Sequence, residues 1–175
     1  LGDVYKRQPT VRMKTLKIVL AIAAERDYEM KQIDFDTAFL NANVKEEIYV
    51  KIPQGYQSND SQVNGNKVLR LVKAIYGTKQ ASREWWIELD TCLKTLGYKS
   101  TPLDECLYFK QVNDQLMLVT VYVDDMAVFF PASLQQVWTE DVEQIKSKYK
   151  IKELGDLNWI LNMSVTRDRQ RRLIF

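Results

Sequence analysis

Histidine is absent from this 175-residue sequence, and its absence excludes several kinds of chemistry at once. Without an imidazole there is no Ser-His-Asp triad, no histidine general base and none of the usual zinc sites. Cysteine is scarce, because Cys92 and Cys106 are the two in the sequence. They indicate buried free thiols in a reducing compartment better than a disulfide framework. Any reaction must therefore depend on carboxylates, Lys or Arg, hydroxyls and bound metal.

Long apolar runs are also missing. No segment approaches the ~20 apolar residues that a membrane span needs, and the N-terminus does not resemble a signal peptide. We therefore expect an intracellular, cytoplasmic protein that is not secreted and has no membrane partner. The formal net charge of +2 is too small to indicate nucleic acid by itself. The arginines between Arg167 and Arg172 fit a solvated hairpin better than a phosphate contact.

The length and composition predict one folded domain. Hydrophobic residues make up 46% of the sequence, which is enough for a globular core. Residues 1–8 look foreign to the rest of the chain and resemble one reading frame of a transposase mosaic-end sequencing adapter. We expect them to be an adapter or cloning scar, with a short polar arm as the alternative. On this interpretation the domain occupies residues 9–175 and is a fragment of a longer protein.

Two adjacent aspartates, Asp124 and Asp125, lie between apolar runs that read as strands, Leu116 to Val123 and Met126 to Phe130. The pattern predicts a β-hairpin with both carboxylates in its tight turn. Concentrated negative charge at the open edge of a sheet suits a hard divalent cation with oxygen ligands. The alternative is that aspartate is simply a favourable turn residue.

A second segment presents a carboxylate in a compatible way. In the stretch Met30 to Phe35, alternation places Ile33 and Phe35 toward a core and Asp34 on the opposite, polar face. A two-metal phosphoryl-transfer site needs such ligands from separate strands, with ions about 3.5–4 Å apart. Whether Asp34 meets Asp124 depends on the fold and does not follow from the pattern.

The remaining periodicities predict an α+β fold. Helical spacing covers residues 10–26 and 80–96, and a third helix begins at Ser133 with a capping box to Gln136. Strands alternate with these helices, Asn113 and Asp114 form a hairpin turn, and residues 59–66 form an exposed turn. A last hairpin closes the chain. We expect an antiparallel sheet with helices packed on one face and the other face open.

Five ordered sequence blocks then resemble a known family, the reverse transcriptase of copia-type LTR retrotransposons. They cover nearly all of residues 9–175. The blocks are Gln32–Asn41, Glu46–Val50 with Pro53–Tyr56, Leu71–Ala81, Tyr122–Met126 and Glu153–Leu157.

The resemblance implies the palm and partial fingers of an RNA-directed DNA polymerase. Asp34 matches the family's first catalytic aspartate, and Asp124 and Asp125 match its terminal pair. They would hold two Mg²⁺ ions, with Mn²⁺ as a substitute, for nucleotidyl transfer from a dNTP to a primer 3′-hydroxyl. Phe39 falls where the family keeps an aromatic ring under the incoming sugar, with a core phenylalanine as the alternative. Tyr122 is expected near the substrate.

Weaker expectations come from the same resemblance. Backbone N–H groups from Asp36 through Thr37 to Ala38 would contact the triphosphate, and Gln80 the incoming nucleotide or the template. The partners implied are an RNA or DNA template with its primer and the rest of a Pol polyprotein, inside a retrotransposon particle. The thumb and ribonuclease H domain are missing, so we expect the fragment to be inactive alone. The alternative is a non-catalytic nucleic-acid-binding or structural remnant of a palm domain.

Overall fold

The computed structural model describes residues 9–56 and 68–175. Its three α-helices are α1, Met13–Glu25, α2, Ala81–Thr95, and α3, Gln135–Lys146. Each lies within a predicted helical segment. Gly97, with φ at +89°, follows α2 in the left-handed conformation typical of a helix C-terminus. A 3-10 helix, Ala38–Asn41, lies between α1 and α2 in the chain.

A six-stranded antiparallel sheet forms the centre of the fold, in the order β4-β5-β6-β7-β1-β8. The mixed α/β class with an antiparallel sheet is therefore confirmed. Three two-stranded ribbons, β2 with β3, β9 with β10 and β11 with β12, lie outside it. The strands are β1 Glu29–Phe35, β2 Tyr49–Lys51, β3 Val68–Arg70, β4 Lys99–Ser100, β5 Leu107–Val112, β6 Gln115–Tyr122, β7 Asp125–Phe130, β8 Ile151–Asp156, β9 Trp159–Ile160, β10 Met163–Ser164, β11 Arg167–Asp168 and β12 Leu173–Ile174.

Helices cover both faces of the sheet, which corrects the prediction that they pack on one face. Side chains such as Val119 and Val128 point to a core shared with α2 and α3. Their neighbours Leu118 and Phe129 point the opposite way, to a second core that contains Leu16 and other residues of α1. The apolar stripe of α1 predicts that one side of the helix is buried. It does not indicate which face of the sheet the helix covers.

The predicted turns, helix cap and last hairpin have different outcomes in the structure. Asn113 and Asp114 both have positive φ and join β5 to β6 as expected. The capping box at Ser133 is wrong, because its hydroxyl bonds to Gln115 and a 3-10 turn precedes α3. The predicted last hairpin is divided into two ribbons, and β8 was missed.

Two predicted features lie outside the described residues. These are the scar at residues 1–8 and the exposed turn at residues 59–66. Among the residues that are described, no helix is both long enough and apolar enough to cross a membrane.

Candidate active site

The three candidate aspartates meet through the pairing of β1 with β7. Asp34 is directly opposite Asp125 in the antiparallel register, and Asp125 is also opposite Tyr122 on β6. Directly opposed residues point to the same face with Cβ atoms about 4.5–5.5 Å apart. The backbone N–H of Phe35 donates a 3.0 Å hydrogen bond to the carbonyl of Asp124. One end of the central strands therefore gathers all three residues.

The turn between β6 and β7 differs from the predicted one. It consists of Val123 and Asp124, while Asp125 is already the first residue of β7. Val123 has φ of +58°, and Thr37, which precedes the 3-10 helix, has φ of +50°. A β-branched residue in this region is strained by roughly 1–3 kcal/mol. Such strain is characteristic of functional sites, and here it occurs at both edges of the aspartate cluster.

Like charges crowd around Asp125. Burial raises the pKa of its carboxyl, and the negative charges of Asp124 and Asp34 raise the pKa further. A 3.3 Å hydrogen bond from the amide of Gln32 opposes these effects. The site thus carries more negative charge than its own donors neutralise, which is the electrostatic condition that favours binding of a cation.

Two lysines on and beside β8 supply positive charge next to the cluster. Lys152 Nζ lies 2.5 Å from an Asp36 carboxylate oxygen and 3.7 Å from an Asp34 oxygen, and Lys150 Nζ lies 3.0 Å from Asp36. Hydrogen bonds from Lys152 and Lys150 lower the pKa of Asp36. The Asp36 N–H donates to the carbonyl of Lys150 at 2.9 Å, so it is engaged within the fold, and its contact with a triphosphate stays a prediction.

The donor set fits a hard divalent cation in its chemistry, since it consists of carboxylate oxygens on adjacent backbone positions. Within residues 9–56 and 68–175, no three acidic or cysteine side chains already form a metal cage. In this arrangement Gln32 engages Asp125, and Lys152 approaches Asp34. Holding a metal would therefore require the carboxylates to turn away from these partners.

An aromatic pair flanks the aspartates. Phe39 is half-buried, and its ring centroid lies 4.4 Å from that of Tyr76, whose side chain is 57% exposed. Burial raises the pKa of the Tyr76 phenol, and the charges of Asp124 and Asp34 raise it further. Tyr76 was not among the predicted site residues, although an aromatic residue directly before Gly77 in a matched block could have indicated it.

The other residues predicted to contact the substrate differ in exposure and in distance from the aspartates. Tyr122 is 37% exposed beside Asp125, Thr37 is exposed, and Ala38 is fully buried, so that Ala38 could contact a ligand only through its backbone. The amide of Gln80 donates a 2.6 Å hydrogen bond to the carboxylate of Glu46. Gln80 is therefore engaged with the segment before β2 and is not brought to the three candidate aspartates.

An open groove of about 590 Å³ begins at Asp125. Tyr122 and Asp125 line one side, and Trp159 and Asn162 of the β9–β10 ribbon line the other. Trp159 is 57% exposed, and Asn162 adopts φ of +62° in the ribbon's turn. The groove joins a charged end to an aromatic and amide-bearing wall, which suits an extended polar ligand.

The comparisons with known proteins agree on one family. The sequence model of the reverse transcriptase (RNA-dependent DNA polymerase) family matches residues 3–173. The chain is 33% identical over 170 residues to the retrovirus-related Pol polyprotein from transposon TNT 1-94 of Nicotiana tabacum, covering 95% of this chain and 12% of that protein. It is 32% identical over 159 residues to the Pol polyprotein from transposon RE2 of Arabidopsis thaliana, covering 91% and 11%.

A yeast relative is similar over a shorter stretch. The putative transposon Ty5-1 protein of Saccharomyces cerevisiae is 32% identical over 133 residues, which are 76% of this chain and 42% of that protein. No solved structure matches the chain significantly. The chain thus spans a small part of the plant polyproteins that it matches. By its sequence it belongs to the reverse transcriptase family, with relatives in the Pol polyproteins of copia-type transposons.

Proposed function

We propose that this chain is the palm and partial fingers of an RNA-directed DNA polymerase, which transfers nucleotides from dNTPs to a primer 3′-hydroxyl within a Pol polyprotein. The observation that carries the proposal is the cross-strand pairing of Asp34 with Asp125, with Asp124 in the adjoining turn. Asp34 is far along the sequence from the adjacent pair Asp124 and Asp125, and these three residues are the ones that match the family's catalytic aspartates.

Asp34, Asp124 and Asp125 are the proposed ligands for two Mg²⁺ ions, or Mn²⁺ in their place. When bound, such ions lower the pKa of the primer hydroxyl and neutralise charge on the triphosphate. The crowding that raises the pKa of Asp125 supports this role, because a cation relieves the repulsion. Lys152 neutralises part of the charge of Asp34 until the carboxylate turns to the metal.

The Phe39–Tyr76 pair is proposed to line the pocket for the nucleotide sugar. Because the two ring centroids are 4.4 Å apart, each ring restricts the movement of the other. A rigid aromatic surface of this kind would exclude a ribose 2′-hydroxyl by its bulk. Thr37 and the backbone of Ala38 lie at the start of the same 3-10 helix and are proposed to contact the nucleotide. Gln80 is proposed to reach the template or nucleotide after leaving Glu46.

The groove between Tyr122 and Trp159 is proposed as the path of the primer strand. Because Asp125 lines the groove, a primer strand bound there would bring its terminus to Asp125. The exposed indole of Trp159 offers a flat surface for a sugar or base. The template, the dNTP and the rest of the Pol polyprotein are the proposed partners, in an intracellular transposon particle.

A Mn²⁺ titration of this chain followed by electron paramagnetic resonance tests the metal site directly. We expect saturable binding that Asp124→Asn weakens by at least about tenfold, because one charged ligand is lost. Asp114→Asn is the matched control, since Asp114 is an exposed turn aspartate at the opposite end of β6. An absence of saturable binding, or an equal effect of both variants, would contradict the proposed metal site.

Primer extension tests the reaction itself and needs a longer Pol chain that includes the fingers, thumb and this segment. On poly(A) with oligo(dT), we expect incorporation by the unaltered chain and a loss of about 10²–10³-fold in Asp124→Asn, since it removes transition-state electrostatics. We expect the 175-residue fragment to be inactive alone. Failure of the folded longer chain to incorporate nucleotide would leave a non-catalytic nucleic-acid-binding remnant as the function.

A further inference from the structure

The turn that carries Asp124 is in an unfavourable conformation. Val123 has φ of +58°, and a β-branched side chain in that region clashes with its own backbone. A two-residue turn with this strain keeps its shape only when its surroundings hold it. The groups that hold the turn therefore decide how the adjacent aspartates are presented.

Two hydrogen bonds fix the carbonyls of the turn. The N–H of Phe35 donates to the Asp124 carbonyl at 3.0 Å and continues the pairing of β1 with β7. The indole N–H of Trp85, on α2, donates to the Val123 carbonyl at 2.8 Å. The second bond comes from a side chain of a helix rather than from the sheet, and it engages the carbonyl of the strained residue itself.

Trp85 is held firmly in place. It is 0% exposed, and its ring packs edge-to-face on Phe35 at 5.1 Å and on Tyr149 at 5.5 Å. The Tyr149 hydroxyl donates a 3.0 Å hydrogen bond to Glu88, which is also on α2. The indole therefore cannot turn away without disrupting this packing, and its N–H is a fixed donor aimed at the turn.

We propose that Trp85 is a positioning residue for the metal-binding turn: its indole N–H holds the Val123 carbonyl so that Asp124 and Asp125 face Asp34. This inference rests on the proposed function, because positioning matters only if those carboxylates bind metal. Trp85 does not touch the reacting atoms. It connects the turn to α2, which packs on the 3-10 helix that carries Phe39.

Trp85→Phe removes the N–H and keeps an aromatic ring, and Trp138→Phe is the matched control. Trp138 is likewise buried, at 5% exposure, but packs on Phe130 away from the turn. Three measurements compare the variants: Mn²⁺ affinity, hydrogen exchange of the Phe35 amide and thermal unfolding. We expect Trp85→Phe to weaken Mn²⁺ binding and to accelerate Phe35 exchange by about tenfold each, the change that loss of one hydrogen bond produces.

The outcomes separate positioning from a merely structural role. Trp138→Phe is expected to lower the thermal midpoint without changing Mn²⁺ affinity or Phe35 exchange. Normal Mn²⁺ binding by Trp85→Phe, or equal effects of the two substitutions, would overturn the positioning role alone. Absence of saturable binding in the unaltered chain would overturn the proposed function and the positioning role together.

A measurement on the unaltered chain covers the case in which Trp85→Phe does not fold. Coupling between sites is reciprocal, so a hydrogen bond that favours metal binding must itself be strengthened by the metal. In ¹⁵N spectra we expect the Trp85 indole resonance to shift with Mg²⁺ along the binding curve, while the Trp138 resonance stays in place. A Trp85 resonance unmoved at saturating Mg²⁺ would overturn the inference.

Discussion

Repulsion between carboxylates is concentrated at Asp125. It faces Asp34 across the β1–β7 pair and comes directly after Asp124 in the chain, and its pKa is raised by burial and by both neighbours. Because the folded-state pKa lies above the unfolded one, the folded state binds more protons between the two values. Stability is therefore present at lower pH and is lost as the pH rises through that window, above the usual value of about 4.

Asp125→Asn should consequently stabilise the metal-free protein at neutral pH. Removing a like charge from a directly opposed pair is expected to gain roughly 0.2–1 kcal/mol. The gain should disappear below about pH 4, where the carboxyl is protonated even in the unfolded chain. Thermal unfolding across pH 3.5–7 measures this ~0.2–1 kcal/mol difference. Added Mg²⁺ should raise the thermal unfolding midpoint of the unaltered chain but not that of the variant. A variant less stable than the unaltered chain at pH 7 would contradict the expected repulsion between the carboxylates.

Among the elements, α1 is attached to the sheet through its C-terminal end. The guanidinium of Arg167 donates to the carbonyl of Tyr28, to that of Ala23 at 3.3 Å and to the carboxylate of Asp27 at 2.6 Å. Its side chain is only 12% exposed. The arginine cluster, interpreted from sequence as a solvated hairpin, therefore includes one member that satisfies backbone groups at the end of a helix.

Arg167→Met and Arg169→Met should separate these roles. Arg167→Met is expected to destabilise the fold by about 1–3 kcal/mol, because it removes the guanidinium donor from the carbonyl of the buried Tyr28. Arg169 pairs with Asp27 and Glu29 but is 47% exposed, so its loss should cost less than about 1 kcal/mol. Denaturant unfolding of the two variants measures the difference. Equal costs would show that Arg167 contributes no more than a surface ion pair.

A second connection between elements joins α3 to the edge of the sheet. Asp141 on α3 is 3% exposed and accepts hydrogen bonds from Lys110 and Tyr98, each at 2.8 Å. Lys110→Met should cost about 3–5 kcal/mol, because it leaves a buried carboxylate without its cation. Lys146→Met removes an exposed partner of Glu143 and should cost much less than Lys110→Met, because water screens this surface pair. Chemical denaturation compares them, and similar values would contradict a buried ion pair.

For the molecule as a whole, the core between the sheet and helices α2 and α3 should protect both thiols. Cys92 and Cys106 are 2% and 0% exposed, and burial raises the pKa of Cys106 to about 12. The reactive thiolate is therefore scarce at pH 8. We expect a disulfide reagent to label neither thiol in the native state and both in denaturant. Fast native labelling of Cys106 would show that the core opens locally.

Much of the fold was predictable because its signals are local. Alternation in β1 correctly assigned Ile33 and Phe35 to the core, and Asn113 and Asp114 correctly marked a turn, since these features depend on neighbours in the chain. The prediction was wrong for α1, because an apolar stripe does not specify which face of a sheet it meets. β8 was missed because its pattern is almost entirely exposed, without the alternation that marks a half-buried strand.

The candidate active site likewise has one part that the sequence predicted and another that only the folded structure revealed. The order of residues was enough to establish which side-chain chemistry is available, and it identified Asp34, Asp124 and Asp125 because they stand in blocks of a recognisable family. Folding established that Asp34 is opposite Asp125, that Val123 bears the strain of the turn, and that Trp85 and Tyr76 come beside it. Those contacts join residues far apart along the chain, and the pairing register that creates them is a property of the folded sheet.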